Sequence, residues 1–223
     1  MLAIKTNGNG GVKKRKMLNI CVPVLNRYDL LARLFSTIEA SSLRPDNIYV
    51  IDNGGNAEGL IYAISQTSVQ VKVHIPQVPM GVAEAWNWFI DNVPEDRLIT
   101  NDDIVFGPDS LKMMSEAPAC FVSCDFGFAC FILRNECIER VGRFDETISP
   151  GYAYFEDRDY YERMKLAQIK DIVVHCDVKH DNSQTIAAFS PEEMAQHHRK
   201  FLIAQANFLK KWGELPSDLQ VQT

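Results

Sequence analysis

Apolar residues recur along this chain in two alternating rhythms. Short apolar runs at residues 19–25 (NICVPVL), 47–51, 69–75 and 98–100 have the composition of buried strands. Between them apolar positions fall three and four apart: Leu30, Leu31, Leu34, Phe35 and Ile38 in a helix from Asp29, then Leu60, Ile61 and Ile64 in 58–66. In 81–92 they are Val82, Ala85, Trp86, Phe89 and Ile90. The pattern predicts strand, loop and helix in repetition, hence an α/β fold with one Rossmann-like, mainly parallel sheet flanked by helices. Ligands of such sheets gather at the carboxyl ends of the strands. After Pro108 the rhythm loosens into α+β texture, with helices over 109–116, 135–141 and 156–166 and strand-like runs over 119–124, 127–133 and 170–175. An aromatic loop covers 151–155, and His180, Asp181 and Ser183 fall in a polar loop. A long amphipathic helix over 191–212 carries Met194, His198, Phe201, Leu202, Gln205, Phe208, Leu209 and Trp212 on one stripe, which predicts packing along the flank.

Domain organisation follows from the same pattern. Residues 1–16, with Gly8, Gly10, Gly11 and the basic run 13–16, predict a disordered tail; one domain spans 17–190; and 191–223 form a helix and tail packed on it. At 223 residues and 46% hydrophobic, the chain can bury a sizeable core. A net charge of -6 excludes non-specific nucleic-acid binding, which needs clustered cations to displace phosphate counterions. The six cysteines show no CxxC pair or zinc-like spacing, and read as reduced core thiols. No apolar run approaches the ~20 residues of a membrane span. The expectation is a cytoplasmic protein without an integral membrane segment, peripheral to a membrane only if the KKRK run touches one.

Candidate chemistry concentrates in residues 98–106, LITNDDIVF. Apolar residues flank Asn101, Asp102 and Asp103 on both sides, so two carboxylates are driven to the edge of the core. Such placement costs desolvation unless a partner neutralises it, and a hard cation such as Mg2+ or Mn2+ suits paired carboxylates. The competing reading is a solvated turn after a strand. Elsewhere Asp52 precedes Asn53-Gly54-Gly55 as an ordinary turn residue would. Pro23 and Asn26 read as a strand terminator and a helix cap, and Glu156, Asp157 and Asp159 as acids complementing a helix dipole.

Taken together, CVPVLNR, VIDNGG, NDD and GRFDE followed by FEDRDYYERM resemble the inverting family 2 glycosyltransferases of the GT-A fold, from about residue 18 to 183. The resemblance implies a metal-dependent transfer of sugar from a nucleoside-diphosphate sugar to a hydroxyl acceptor such as a glycan, with Mn2+ or Mg2+ as cofactor. It puts Pro23, Asn26, Arg27, Asp52 and Asn53 at the nucleotide. Gly81 and Asn87, with Ala83 and Ala85 between them, match the family's helix beside the diphosphate. Asp103 matches the metal ligand, Asp102 would contact the ribose or metal-bound water, and Asn101 falls with the nucleotide-binding residues, although the family often has Asp where Asn101 stands. His180 would complete the metal shell, Ser183 fitting the spacing, with His175 as its competitor. Asp157 resembles the general base, and Glu156 and Tyr154 would meet acceptor hydroxyls. Arg163 would pair with an acid, and Trp86 and Trp88 would pack. Two rival readings remain: a catalytically idle sugar- or nucleotide-binding domain, and a sugar nucleotidyltransferase, whose glycine-rich opening loop and lysine VPVLNRYD lacks.

Overall fold

A computed structural model describes residues 17–94, 96–181 and 189–215. Strand β1 (Leu18–Val24) runs up the centre, and α1 (Tyr28–Glu39) returns the chain to β2 (Asn47–Asp52) at its side. Helix α2 (Ala57–Ile64) leads to β3 (Val71–His74), and α3 (Val82–Asn92) to β4 (Asp96–Thr100) on the other flank of β1. All four strands are parallel, with Val24 in register with Asp52 and Cys21 with Ile99. Their carboxyl ends therefore open on one edge.

The chain then departs from alternation. Strand β5 (Ile104–Phe106) leaves the sheet, and α4 (Ser110–Glu116) leads to the hairpin β6 (Phe121–Cys124) and β7 (Gly127–Leu133). Strand β7 pairs antiparallel with β4 and with β6. Helices α5 (Asn135–Val141) and α6 (Glu156–Leu166) follow, and then β8 (Ile172–Val173), which completes the order β3-β2-β1-β4-β7-β6-β8. Strand β9 (Val178–His180) pairs antiparallel with β5 in a two-stranded sheet, and α7 (Pro191–Trp212) ends the fold.

Successive strand residues face opposite sides, so the sheet feeds two cores. Ile20, Val22, Ile48 and Val50 join Leu31, Leu34 and Phe35 of α1, whereas Cys21, Ile51 and Phe131 join Trp86 and Phe89 of α3. Each fully buried large side chain contributes roughly 1.5–3 kcal/mol relative to exposure. Five of the six cysteines are buried and Cys176 is half-buried, and all are free. Among the described residues no helix is long and apolar enough to cross a membrane.

Four sequence expectations change. Strand β1 continues past Pro23 to Val24, so Pro23 terminates nothing. Helix α1 begins at Tyr28 with Arg27 as its N-cap, leaving Asn26 in the exposed loop and not at the cap. His180 ends a strand, not a loop, because β5 offers an edge to Val178–His180. Finally, Met194, Leu202 and Leu209 of α7 are exposed, while its buried line runs through Ala204 and Phe208, which meet Ile148 and Phe155. Ser183 lies outside the described residues.

Candidate active site

Asp102 and Asp103 leave β4 at its carboxyl end, held there because the chain must pass from the main sheet into β5. Both are buried, 7% and 5% exposed. Burial first, and the Asp103 carboxylate second, push the Asp102 pKa up to about 7. The pairing of β5 with β9 sets Ile104 opposite His180 and so brings the imidazole to Asp103. Nε2 of His180 and Oδ1 of Asp103 lie 3.1 Å apart, and the carboxylate raises the imidazole pKa above its ordinary value. Neither atom makes a hydrogen bond of sound geometry, and both are buried. The contact is an ion pair whose geometry falls short of a hydrogen bond.

A carboxylate oxygen and an imidazole nitrogen, buried and otherwise unsatisfied, suit a divalent cation such as Mn2+ or Mg2+. No group of three His, Cys, Asp or Glu able to hold a metal occurs among the described residues. Remaining coordination positions would fall to water and ligand oxygens, as is usual for Mg2+. His175 takes no part here: it is exposed and its Nδ1 meets Asp125 Oδ1 at 2.5 Å.

The neighbouring strand ends supply further polar groups. Arg27 forms an ion pair with Asp29 at 2.7 Å, and that bond, with smaller contributions from Asp102 and Asp103, raises its pKa. Buried Asp52 accepts from the Tyr28 hydroxyl and from the N–H groups of Gly54 and Gly55 at 3.1 and 3.0 Å, all on Oδ1. This is the turn that the local sequence suggests. Gly54 has no alternative there, since a Cβ would lie 1.6 Å from the Leu25 carbonyl oxygen. Asn53 uses both ends of its amide on Met80, donating to its carbonyl at 3.1 Å and accepting from its N–H at 2.9 Å. Asn101 follows β4, half-buried, and gives its N–H to the Ala129 carbonyl at 2.9 Å.

Two residues of the small-residue helix act internally. Gly81 caps α3 against the 151–152 backbone, where a Cβ would lie 2.5 Å from the Tyr152 nitrogen. Asn87 is buried; its Nδ2 donates to the Phe144 carbonyl at 2.9 Å and Glu146 at 2.7 Å, and its Oδ1 accepts from the Phe144 N–H at 2.9 Å. It clamps the GRFDE segment onto α3. Trp86 is buried among Phe128, Phe131 and Phe144, and Trp88 stacks on His74 at 4.5 Å.

Asp157 and Glu156 open α6. The preceding loop is strained: Tyr154 and Phe155 hold φ of 97° and 66°, a region costly for residues with a Cβ. Glu156 is 5% exposed and accepts from the Ser149 hydroxyl at 2.9 Å; burial first and Asp157 second push its pKa up to about 7. Tyr154 sets its hydroxyl 2.6 Å from His197 Nε2 on α7. Asp157 accepts from the Arg158 N–H at 2.7 Å and lines a cavity of about 350 Å3 with Arg158, Tyr161, Asp171 and the β6–β7 hairpin. Phe126 of that hairpin lines the cavity and meets the His180 ring edge-on at 5.4 Å, so the cavity and the Asp103–His180 pair adjoin.

The sequence reading named Asp157 but gave no role to Arg158, Tyr161, Asp171 or the hairpin phenylalanines of this cavity, and it placed Trp212 only on the packing stripe and assigned nothing to Lys211. Lys211 Nζ bridges Asp145 of GRFDE at 2.7 Å and Asp159 of FEDRD at 2.6 Å. Trp212 Nε1 donates to Asp159 at 3.0 Å, and Arg163 pairs with the same carboxylate at 2.8 Å. The aromatics either side of Gly127 and the lysine pair before Trp212 were the available signals.

No protein-family model matches the chain, and no curated protein does. Solved structures do. A mannosyltransferase from Pyrobaculum calidifontis, in complex with GDP-Man and Mn2+, is 14% identical, with 94% of this chain and 79% of that one covered and a TM-score of 0.60. Glucosyl-3-phosphoglycerate synthase from Mycobacterium tuberculosis, in complex with Mn2+, UDP and glucosyl-3-phosphoglycerate, is 15% identical, with 91% and 82% covered and a TM-score of 0.58. The same synthase in complex with Mg2+ and UDP also scores 0.58, at 15% identity and coverage of 91% and 81%. The chain has the GT-A fold of these glycosyltransferases.

Proposed function

We propose that the chain is a metal-dependent glycosyltransferase that moves a sugar from a nucleoside-diphosphate sugar to a hydroxyl acceptor with inversion. The observation that carries this reading is the buried, unsatisfied pair Asp103 Oδ1 and His180 Nε2, beside a cavity lined by Asp157. The donors and cations bound by the structurally similar enzymes favour the same reading. Arg27, Asp52 and Asn101 flank the place for the base and ribose at the ends of the parallel strands, with Pro23 and Asn26 on the same edge; Asn53, Gly81 and Asn87 position that edge. Asp103 and His180 would hold Mn2+ or Mg2+, with Asp102 beside them. Bound there, the cation would offset negative charge on the departing nucleoside diphosphate.

Asp157 accepts the proton of the acceptor hydroxyl as that oxygen bonds to the anomeric carbon from the face opposite the leaving group. The anomeric carbon–phosphate oxygen bond breaks with its electron pair going to the diphosphate. Glu156, protonated over much of the acid range, leaves the neighbouring carboxylate as the base.

Thermal shifts with UDP, GDP, dTDP and CMP, each with and without Mn2+, test the reading. One nucleotide should raise Tm only with metal, since ligand at about a hundredfold its Kd adds roughly 2.7 kcal/mol. Asp103→Ala should abolish that response, and Asp157→Asn should keep it while lowering turnover by about 10²–10⁴. Shifts equal with and without Mn2+, or no shift with any nucleotide, would favour an idle domain instead.

A further inference from the structure

The cavity beside Asp157 has a chemistry of its own. Its volume of about 350 Å3 is at the small end of small-molecule sites, enough for a sugar ring and its linkage and too small for an extended chain. Phe126 and Phe128 from the β6–β7 hairpin and Tyr161 from α6 give it half-exposed aromatic walls. Phe128 is held by tilted ring contacts with Phe121 at 5.1 Å and Phe131 at 5.0 Å, both of which are buried. Among the described residues the charged groups of the lining are Asp157, Asp171 and Arg158, two carboxylates and one guanidinium; Lys165, whose Nζ lies 4.7 Å from the Tyr161 ring centre, is paired with Glu162 at 2.7 Å.

Aromatic faces flanked by carboxylates match the two surfaces of a pyranose. Its C–H face packs on an aromatic ring, and its hydroxyls donate to carboxylate oxygens, bonds stronger than neutral ones. An anionic acceptor would instead bring its charge to a lining with an excess of carboxylate, where like charges repel most strongly when sheltered from water.

Resting on the glycosyltransferase reading, we infer that this cavity is the acceptor subsite and that it takes the ring of a neutral sugar, not a phosphorylated or carboxylated acceptor. Tyr161 and the hairpin phenylalanines stack on the ring, Asp171 holds a hydroxyl remote from the reaction, and Asp157 receives the reacting one.

Saturation-transfer NMR on the full chain with methyl glucoside, galactoside, mannoside and N-acetylglucosaminide, and with 3-phosphoglycerate as the anionic probe, decides the matter. At least one neutral glycoside should receive saturation, and 3-phosphoglycerate none. Tyr161→Ala should weaken that glycoside by about tenfold, and the milder Asp171→Asn by severalfold, with donor-dependent thermal shifts unchanged in both. Binding of 3-phosphoglycerate as tight as the glycosides, no glycoside binding at all, or glycoside binding indifferent to both substitutions would overturn the inference. The nucleotide thermal shifts are read separately, so loss of the donor response would sink the transferase reading, while glycoside binding would still report on the cavity.

Discussion

Asn87 shows what a buried amide does that no other side chain of its size can. It donates twice and accepts once, all within the GRFDE segment. Asn87→Ala leaves the Phe144 N–H and carbonyl unpaired in the core, at about 2–4 kcal/mol, which urea unfolding will register as a lower midpoint with an unchanged slope. Asn87→Asp keeps the acceptor but sets a carboxylate against Glu146, and should destabilise at least as much. A stable Asp variant would show that the amide donor is dispensable. Glu156 makes a pH-dependent counterpart. Its folded pKa of about 7 lies above the unfolded value near 4.3, so the native state holds the extra proton between them. Stability should therefore fall as pH rises from about 4.5 to 7, by up to roughly 3 kcal/mol, and level off above. Glu156→Gln should flatten that limb in urea midpoints taken across the range; an unchanged slope in the variant would assign it to another group.

Helix α7 is where the element scale governs the site. Its capping box, Ser190 with Glu193, and Gly213 at φ 81° define both ends, and all three features stand in the sequence. Its orientation does not, because the inward line includes His197, Asn207 and Lys211, polar residues that an apolar periodicity assigns to solvent. They face inward because the strained loop and the two acidic motifs offer partners: Asn207 donates to the carbonyls of Thr147 and Ile148, both at 3.1 Å. Burial alone would raise the Asp145 pKa, but Lys211 and Thr147 outweigh it and hold the group at about 2. That depressed pKa stabilises the fold above the unfolded value near 4, and the gain is lost as pH falls from about 4 to 2. Lys211→Met should lower Tm at pH 7 and make the decline between pH 4 and 2 shallower. An equal Tm would mean that the Arg163 charge, with the Trp212 hydrogen bond, suffices for Asp159.

At the scale of the molecule, the parallel half of the sheet was legible because each strand–helix unit is local: β1, β2 and β4 end where their apolar runs end, and deliver Arg27, Asp52 and Asp103 to one edge. The antiparallel half was less so. Strand β9 is three residues long and takes its identity from β5, some seventy residues earlier, and no local pattern records that pairing. It is also what makes His180, and not the exposed His175, the partner of Asp103. The fold thus divides the labour: local signals build the edge of strand ends, and long-range pairing brings His180 to Asp103. Donor and cation should then tie the two sheets together, because Asp103 follows β4 and His180 ends β9. Hydrogen exchange with nucleotide and Mn2+ should slow the amides of the strand ends around residues 24–27, 52–54 and 101–104, and equally those of 178–181. Amides at the opposite edge, such as Leu18 and Asn47, should not change. Protection confined to the first group would mean that His180 is not drawn into the complex, and Asp103 would then hold the cation without it.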